Sequence, residues 1–371
     1  MIEANNKIAW YPEDVGKGRL GEWLENNVDW ALSRERYWGT PLPVWICEKC
    51  EKQHCIGSVE ELKKMAKEHP ETLDLHRPYM DEIYLKCPEC AGDMKRIPEV
   101  IDAWFDSGSM PYGQIHYPFE NKDEFDEKYF PAAFIAEGLD QTRGWFYTLL
   151  AISVFISGRS CYSSCVVNSL VLDSDGRKMS KSLGNVLNPI EIINKYGADS
   201  LRWYLMNTSQ LWLPKRFDKD ALLEVVRRFL STLQNIYSFF ALYANIDGFI
   251  PEANSPVKDR PLIDRWIISR LNSVIAEIGS EFERNDITKV TRVATEFVVG
   301  DLSNWYVRRN RRRFWGSQEN ADKKAAYQTL FECLLTACKL VAPVAPFISE
   351  DIYRRLTSGL QGYPESVHLC D

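Results

Sequence analysis

Three apolar runs between residues 134 and 172 decide the fold. They are Phe134-Ile135-Ala136, Gln141 to Phe155, and Cys161 to Leu172, the last closed by the turn Asp173-Ser174-Asp175-Gly176. The first reads as a short buried strand, the second as an apolar helix, and the third as a strand. Parallel strands need a long crossover, so strand, helix, strand in that order is the unit of a parallel α/β sheet.

Downstream the period of the apolar residues becomes helical. Asn188-Pro189 has the form of a helix cap followed by proline in the first turn, and Gly197 can end that helix. Leu222, Val226, Phe229, Leu233, Ile236 and Phe240 then alternate steps of four and three, as do Ile263, Ile267, Leu271, Val274 and Ile278. Two further helical stretches follow, around 286–314 and 322–341. The fold class expected is α/β plus all-α, with an antiparallel helical bundle closing the chain. Upstream, residues 44–98 stand apart through two Cys-x-x-Cys pairs and a charged helical stretch from Val59 to Glu68. The expected division is 1–43, 44–98, 99–187, a helical connector at 188–220, and the bundle at 221–371.

With 371 residues the chain should hold about two to three domains. Its 45% hydrophobic and 12% aromatic content suffices for substantial cores and argues against disorder. A net charge of −7 provides no global positive field, so any polyanion site must be a local basic patch. The first residues lack the charged-then-apolar pattern of a secretory signal, and no apolar run reaches the roughly 18 residues of a membrane helix. Cytoplasm is the default compartment.

Cys47-Glu-Lys-Cys50 and Cys87-Pro-Glu-Cys90 supply four thiolates, enough for a closed tetrahedral Zn2+ site with no open position. A redox pair or free thiols is the alternative. His54 and Cys55 lie near enough in sequence to act as substitute ligands. Cys161, Cys165, Cys333, Cys338 and Cys370 lack metal spacing and read as buried small residues.

After the turn at 173–176 comes Lys178-Met179-Ser180-Lys181-Ser182-Leu183-Gly184-Asn185. Two lysines and two serines on a glycine-flanked loop after a strand suit a phosphate site, and a solvated polar loop is the competing reading. The pentapeptide 178–182 resembles the signature loop of class I aminoacyl-tRNA synthetases. By that resemblance Lys178, Met179, Ser180, Lys181 and Ser182 bind ATP, supplied with Mg2+. Lys181 is the principal contact and Lys178 assists, both acting on the departing pyrophosphate.

Further stretches resemble the isoleucine subgroup of that class: Trp30 to Trp38, Trp104-Phe105-Asp106-Ser107-Gly108, and Glu137 to Phe146. Asp106 separates it from the valine subgroup, which typically carries serine there. By resemblance, residues 1–43 open the second half of a Rossmann-like catalytic domain, 44–98 is a zinc-binding insertion, and 99–187 completes that half. The resemblance also places the aminoacyl-adenylate against Glu137, Gly138, Asp140 and Gln141, with Trp104 and Trp145 walling an aliphatic pocket. Core packing is the competing reading of the tryptophans, and Asp140 also reads as a helix cap. In the bundle, Asn304 to Trp315 sets Arg308, Arg309, Arg311, Arg312 and Arg313 among aromatics, the densest basic run of the chain. It suits tRNA phosphates and bases, or else a solvated helix face.

The activity this implies is activation of isoleucine with ATP to isoleucyl-AMP and its transfer to isoleucine tRNA. The class also uses His-x-Gly-His, and none of His54, His69, His76, His116 and His368 makes that pattern. No editing domain is found either. The expectation is a fragment, inactive without a missing N-terminal half, with its anticodon-binding bundle cut short. A non-catalytic tRNA-binding module and a valine-specific synthetase are the alternatives.

Overall fold

The runs of 134–172 are built into a three-stranded sheet in the order Ala9–Tyr11, Ser164–Asn168, Ile135–Gly138. Ala9–Tyr11 pairs in parallel with the central strand, Ala9 opposite Ser164 and Tyr11 opposite Val166. The computed structural model describes residues 1–68, 73–252, 256–316 and 320–370. They form two compact units, Met1–Val167 and Asn168–Asp371.

In the first unit, helix Trp145–Ser157 provides the crossover and buries Phe146, Leu149, Leu150 and Ile152. These side chains share one core with Trp10, Leu20, Cys161, Tyr162 and Cys165. The strand–helix–strand expectation therefore holds, with four local corrections. Phe134 is 57% exposed, and the strand begins at Ile135. The helix begins at Trp145, because residues Leu139–Arg143 wind as a separate 3-10 turn. Its last turn is not buried either, with Phe155 91% exposed. Finally, Cys161 to Leu172 is not one strand. Ser164–Asn168 belongs to this sheet, whereas Val171–Leu172 pairs in parallel with Lys215–Arg216 inside the second unit. The polar Asn168-Ser169 step marks the change, and Ser169 N–H donates to the Leu211 carbonyl instead of continuing the first ladder.

Residues 44–98 form a four-stranded antiparallel sheet, ordered Gln53–Cys55, Val44–Cys47, Asp93–Arg96, Leu85–Lys86. Trp45, Leu62, Met80, Leu85 and Met94 fill a small core of their own. Of the charged stretch Val59 to Glu68 only Val59–Met65 is helical, its first turn capped by Ser58 accepting from Glu61 N–H at 3.1 Å, and Ala66 is already extended and bridges to Leu85.

The second unit is helical. Asn188 caps helix Pro189–Tyr196 as expected, and Gly197 ends it at φ +87°. The next helix, Ala198–Asn207, is held to the turn before the last long helix. Asp199 accepts from Ile348 N–H at 2.7 Å, and Arg202 donates to the Val344 carbonyl at 2.8 Å. The periodic leucines, isoleucines and phenylalanines of 229–278 point into one bundle core with Tyr306, Phe314 and Leu330. The expected stretches become a continuous helical run from Ile287 to Trp315 and helix Ala321–Val341. Among the described residues, no helix is long and apolar enough to cross a membrane.

Candidate functional site

In the first unit, Glu137 and Gly138 end the edge strand, the position at which open α/β sheets present ligands. Glu137 is exposed and its carboxylate has no partner among the described residues. A Cβ on Gly138 would stand 2.7 Å from an Asp140 carboxylate oxygen, so a side chain there would push that carboxylate aside. Asp140 is not the helix cap. Gln141 caps instead, its Oε1 accepting from Trp145 N–H at 3.0 Å while its Nε2 donates to Asp140 at 3.1 Å. A carboxylate one position earlier in the 3-10 turn is thereby left for other partners.

Trp104 lies on helix Ala103–Gly108, which Asp102 caps by accepting from Trp104 N–H. The same buried carboxylate accepts from Trp30 Nε1 at 2.8 Å and Arg34 at 2.5 Å, which fixes the 30–34 segment to that helix. The Trp104 ring lies 3.0 Å from where a Cβ of Gly144 would be, next to Trp145. Trp145 Nε1 donates to the Ser107 carbonyl at 3.1 Å. Trp104 is 43% exposed, whereas Trp145 is half-buried and also packs against the core of the first unit. Asp106 accepts from Thr40 at 2.9 Å. Gly108 permits the helix to meet the longer one closely, since a Cβ would lie 2.8 Å from Ile152 and 2.9 Å from the Thr148 backbone.

The four paired cysteines converge. Their Sγ atoms all lie within 4.8 Å of one another, with Cys47–Cys90 at 3.5 Å and Cys50–Cys87 at 3.6 Å. Tetrahedral Zn–S bonds near 2.3 Å require S–S separations of about 3.8 Å, so the donor set fits a closed zinc site. The Cys50 backbone N–H holds the Cys47 thiol down, to about 6, while hydrogen bonds among the sulfurs raise Cys50 and Cys90, so it is the geometry of the four sulfurs that marks the site. His54 faces Glu61 at 3.0 Å and Cys55 is exposed, so neither joins the cluster.

In the second unit, Lys178 and Lys181 are exposed, and neither ammonium has an ion-pair partner among the described residues. Met179 and Ser180 are half-buried. Ser180 caps the short turn Lys181–Leu183, accepting from Leu183 N–H at 3.3 Å, and its hydroxyl lies 3.1 Å from that of Ser182. Gly184 follows at φ +64°, where a side chain would be strained. The sequence reading named the lysines and serines but missed Asp173 and Asn185, which bracket the loop. An acidic residue beginning the Asp-x-Asp-Gly turn was their only visible signal.

The five arginines of the bundle divide. Arg308, Arg309, Arg311 and Arg312 are exposed on helix Arg308–Trp315 without ion pairs among the described residues. Arg309 covers the Trp305 ring at 4.2 Å, and Trp305 faces Trp266 at 6.3 Å. Arg313 is different: it binds fully buried Asp264 at 2.6 Å and Asp322 at 2.9 Å, so its guanidinium is used inside the bundle.

These features have counterparts. A family model for "tRNA synthetases class I (I, L, M and V)" matches residues 1–212, and one for "Anticodon-binding domain of tRNA ligase" matches 264–371. With more than half of it matched by the first, the chain belongs to the class I tRNA synthetases of that group. Within the group, the isoleucine–tRNA ligase of Clostridium acetobutylicum is 50% identical over 371 residues, which cover 100% of this chain and 36% of that protein. That of Cytophaga hutchinsonii is 52% identical over 381 residues, covering 100% and 34%. The chain thus spans about a third of the length of the curated relatives it matches. Among solved structures, a methionyl-tRNA synthetase of Mycobacterium tuberculosis in complex with methionyl-adenylate shares the fold with a TM-score of 0.64 at 16% identity, over 99% of this chain and 65% of that one. The LeuRS of an Agrobacterium radiobacter ternary complex with tRNA gives 0.65 at 21% identity, over 94% and 44%.

Proposed function

We propose that this chain supplies part of an isoleucine–tRNA ligase. In the first step the isoleucine carboxylate attacks the α-phosphorus of ATP, forming isoleucyl-AMP and releasing pyrophosphate. In the second, a terminal ribose hydroxyl of isoleucine tRNA attacks the acyl carbon and AMP departs. The observation that carries this reading is the pair of exposed ammonium groups of Lys178 and Lys181, without ion-pair partners among the described residues, on a short, capped loop. Charge grows on pyrophosphate as it leaves, so cations aimed there stabilise the transition state more than the bound substrate.

Glu137, Gly138, Asp140 and Gln141 meet the polar parts of the adenylate, and Trp104 and Trp145 wall the aliphatic side chain. Arg308, Arg309, Arg311 and Arg312 face tRNA; Arg313 holds the helix that carries them. The thiolates of Cys47, Cys50, Cys87 and Cys90 hold a structural zinc ion, which supplies cross-linking and no reaction step. Mg2+ enters with ATP. The His-x-Gly-His half of the nucleotide site is assigned to a part of the synthetase outside these residues.

The test is isoleucine-dependent ATP–pyrophosphate exchange, by this chain alone and with the N-terminal remainder supplied, valine and leucine serving as controls. Exchange with isoleucine only after completion is the expected result. Preference for valine would overturn the substrate assignment, and no exchange from folded, completed enzyme would overturn the reading itself.

A further inference from the structure

Asp173 is an oddity on a loop meant for an anion. It stands five residues before Lys178, it is only 7% exposed, and its negative charge would repel a phosphate unless it were neutralised locally. It is neutralised, though not by the lysines. One carboxylate oxygen accepts from the backbone N–H of Asp175 at 3.0 Å and of Arg177 at 2.7 Å. The other accepts from Arg177 Nε at 3.1 Å and from Asn185 Nδ2 at 2.8 Å. The last bond differs in kind from the first three. Contacts to 175 and 177 merely shape a local turn, whereas Asn185 reaches back from the far end of the loop, twelve residues on.

Asn185 is occupied on both sides. Its Oδ1 accepts from Ser180 N–H at 2.9 Å, and its Nδ2 also approaches the Lys178 carbonyl at 3.3 Å. A single amide therefore ties the start of the loop to the backbone on either side of Met179. The peptide groups of Lys178 and Ser180 are fixed while neither ammonium group has an ion-pair partner among the described residues.

We propose that Asp173 and Asn185 are positioning residues: they clamp the two ends of the 173–185 loop so that Lys178 and Lys181 project from a fixed backbone. The proposal rests on the reading of those lysines as ATP contacts. A lysine side chain already has four rotatable carbons, and a mobile backbone beneath it would dilute the ammonium further at the point where charge develops. Fixing the anchor before substrate arrives removes that ordering cost from the transition state.

The pair can be tested by exchanging its partners. Asn185→Ala removes the bridge. The double exchange Asp173→Asn with Asn185→Asp keeps the 173–185 bond with its polarity reversed, the amide at 173 donating to a carboxylate at 185 that still accepts from Ser180 N–H, while the bonds from Arg177 Nε and to the Lys178 carbonyl are lost. In this chain, loop order is read as hydrogen exchange at the Arg177 and Ser180 amides and as tryptic cleavage after Lys178 and Lys181. Asn185→Ala should raise both about tenfold, and the double exchange should return them most of the way. In the completed synthetase, Asn185→Ala should lower kcat of ATP–pyrophosphate exchange about tenfold with the isoleucine KM unchanged, again restored by the double exchange. Wild-type loop protection in Asn185→Ala overturns the proposal, as does loop protection lost with kcat of the completed synthetase unchanged. Unchanged exchange in Lys181→Ala points instead to failure of the ATP-contact reading, while the loop-protection measurement still decides whether the clamp exists.

Discussion

The cysteine module and the lysine loop are both marked by four-to-five-residue motifs, yet they use their chemical groups in opposite directions. In the module the sulfurs of Cys47, Cys50, Cys87 and Cys90 turn toward one another, in a small sheet with its own core. In the loop the groups that meet are Asp173, Asn185 and backbone amides, and the two lysines face away. Donors that satisfy each other around one point suit a permanent occupant. Donors held ready on a fixed backbone suit a ligand that arrives and leaves. The same division recurs on one helix of the bundle, where Arg313 is bound to Asp264 and Arg309 is open to solvent.

The largest effect expected from this contrast is on the module. Structural zinc in small domains is worth on the order of 10 kcal/mol or more, so chelation should abolish hydrogen-exchange protection of strands Val44–Cys47 and Asp93–Arg96. Bundle amides should stay protected, and about one zinc per chain should be released. A metal-free chain with that sheet intact would remove the contrast altogether. Next in size is Arg313→Ala, which leaves the fully buried Asp264 unpaired and should cost about 3–5 kcal/mol in urea unfolding. Arg309→Ala, which loses only its exposed stacking on Trp305, should cost no more than about 1 kcal/mol.

Lys181→Ala should reverse that pattern. Stability should stay within about 0.5 kcal/mol, while kcat of pyrophosphate exchange in the completed enzyme falls about 100-fold. Equal losses in both measurements would place Lys181 among the structural residues and blur the comparison.

Smaller still is a dependence on pH that separates two kinds of cysteine. Burial pushes the Cys161 thiol up to about 11 and Cys338 to about 12, and raises Cys165 and Cys333 as well. In the unfolded chain these thiols ionise near pH 8.5, so above that the folded state holds more protons. Stability therefore declines as pH rises beyond about 8.5, by about 1.4 kcal/mol per pH unit for each thiol until its folded value is reached. Thermal melts from pH 7 to 10 should flatten on Cys165→Ala and Cys333→Ala. At the acid end, hydrogen bonds from Asn185 and from Arg177 N–H hold Asp173 down, at about 2. The clamp is therefore fully present above about pH 4 and is lost as pH falls through 2. Loop protection should follow that curve.

Much of this architecture was legible because period and punctuation agreed. The bundle's alternating steps from Phe229 onward and the Asn188-Pro189 cap predict what they build, whereas Leu222, at the head of the same series, packs in a separate cluster with Ile192, Tyr204 and Phe217. The strand–helix–strand unit was legible in kind but not in its edges. A uniformly apolar run does not reveal where hydrogen bonding changes partners, and so the break at Asn168 was missed. The four-stranded sheet of the cysteine module left little trace, because its strands are short and its stretches between turns are largely charged. Motifs revealed Lys178, Lys181 and the cysteines. The capping role of Gln141 instead of Asp140 depends on whether the first turn winds as 3-10 or α, a difference too small for composition to carry. Arg313 was indistinguishable from its neighbours because its partner, Asp264, lies 49 residues away.

The contact at Gly108 bears on how far helix Ala103–Gly108 can move. Helix Ala103–Gly108 carries Trp104 and Asp106, and at Gly108 it lies so close to helix Trp145–Ser157 that even one added methyl would collide with Thr148 and Ile152. A helix seated that tightly resists sliding along its neighbour. Changes in what Trp104 and Asp106 face must therefore come from exchanged side chains on a rail held in place, and a substitution at Gly108 would shift the rail itself.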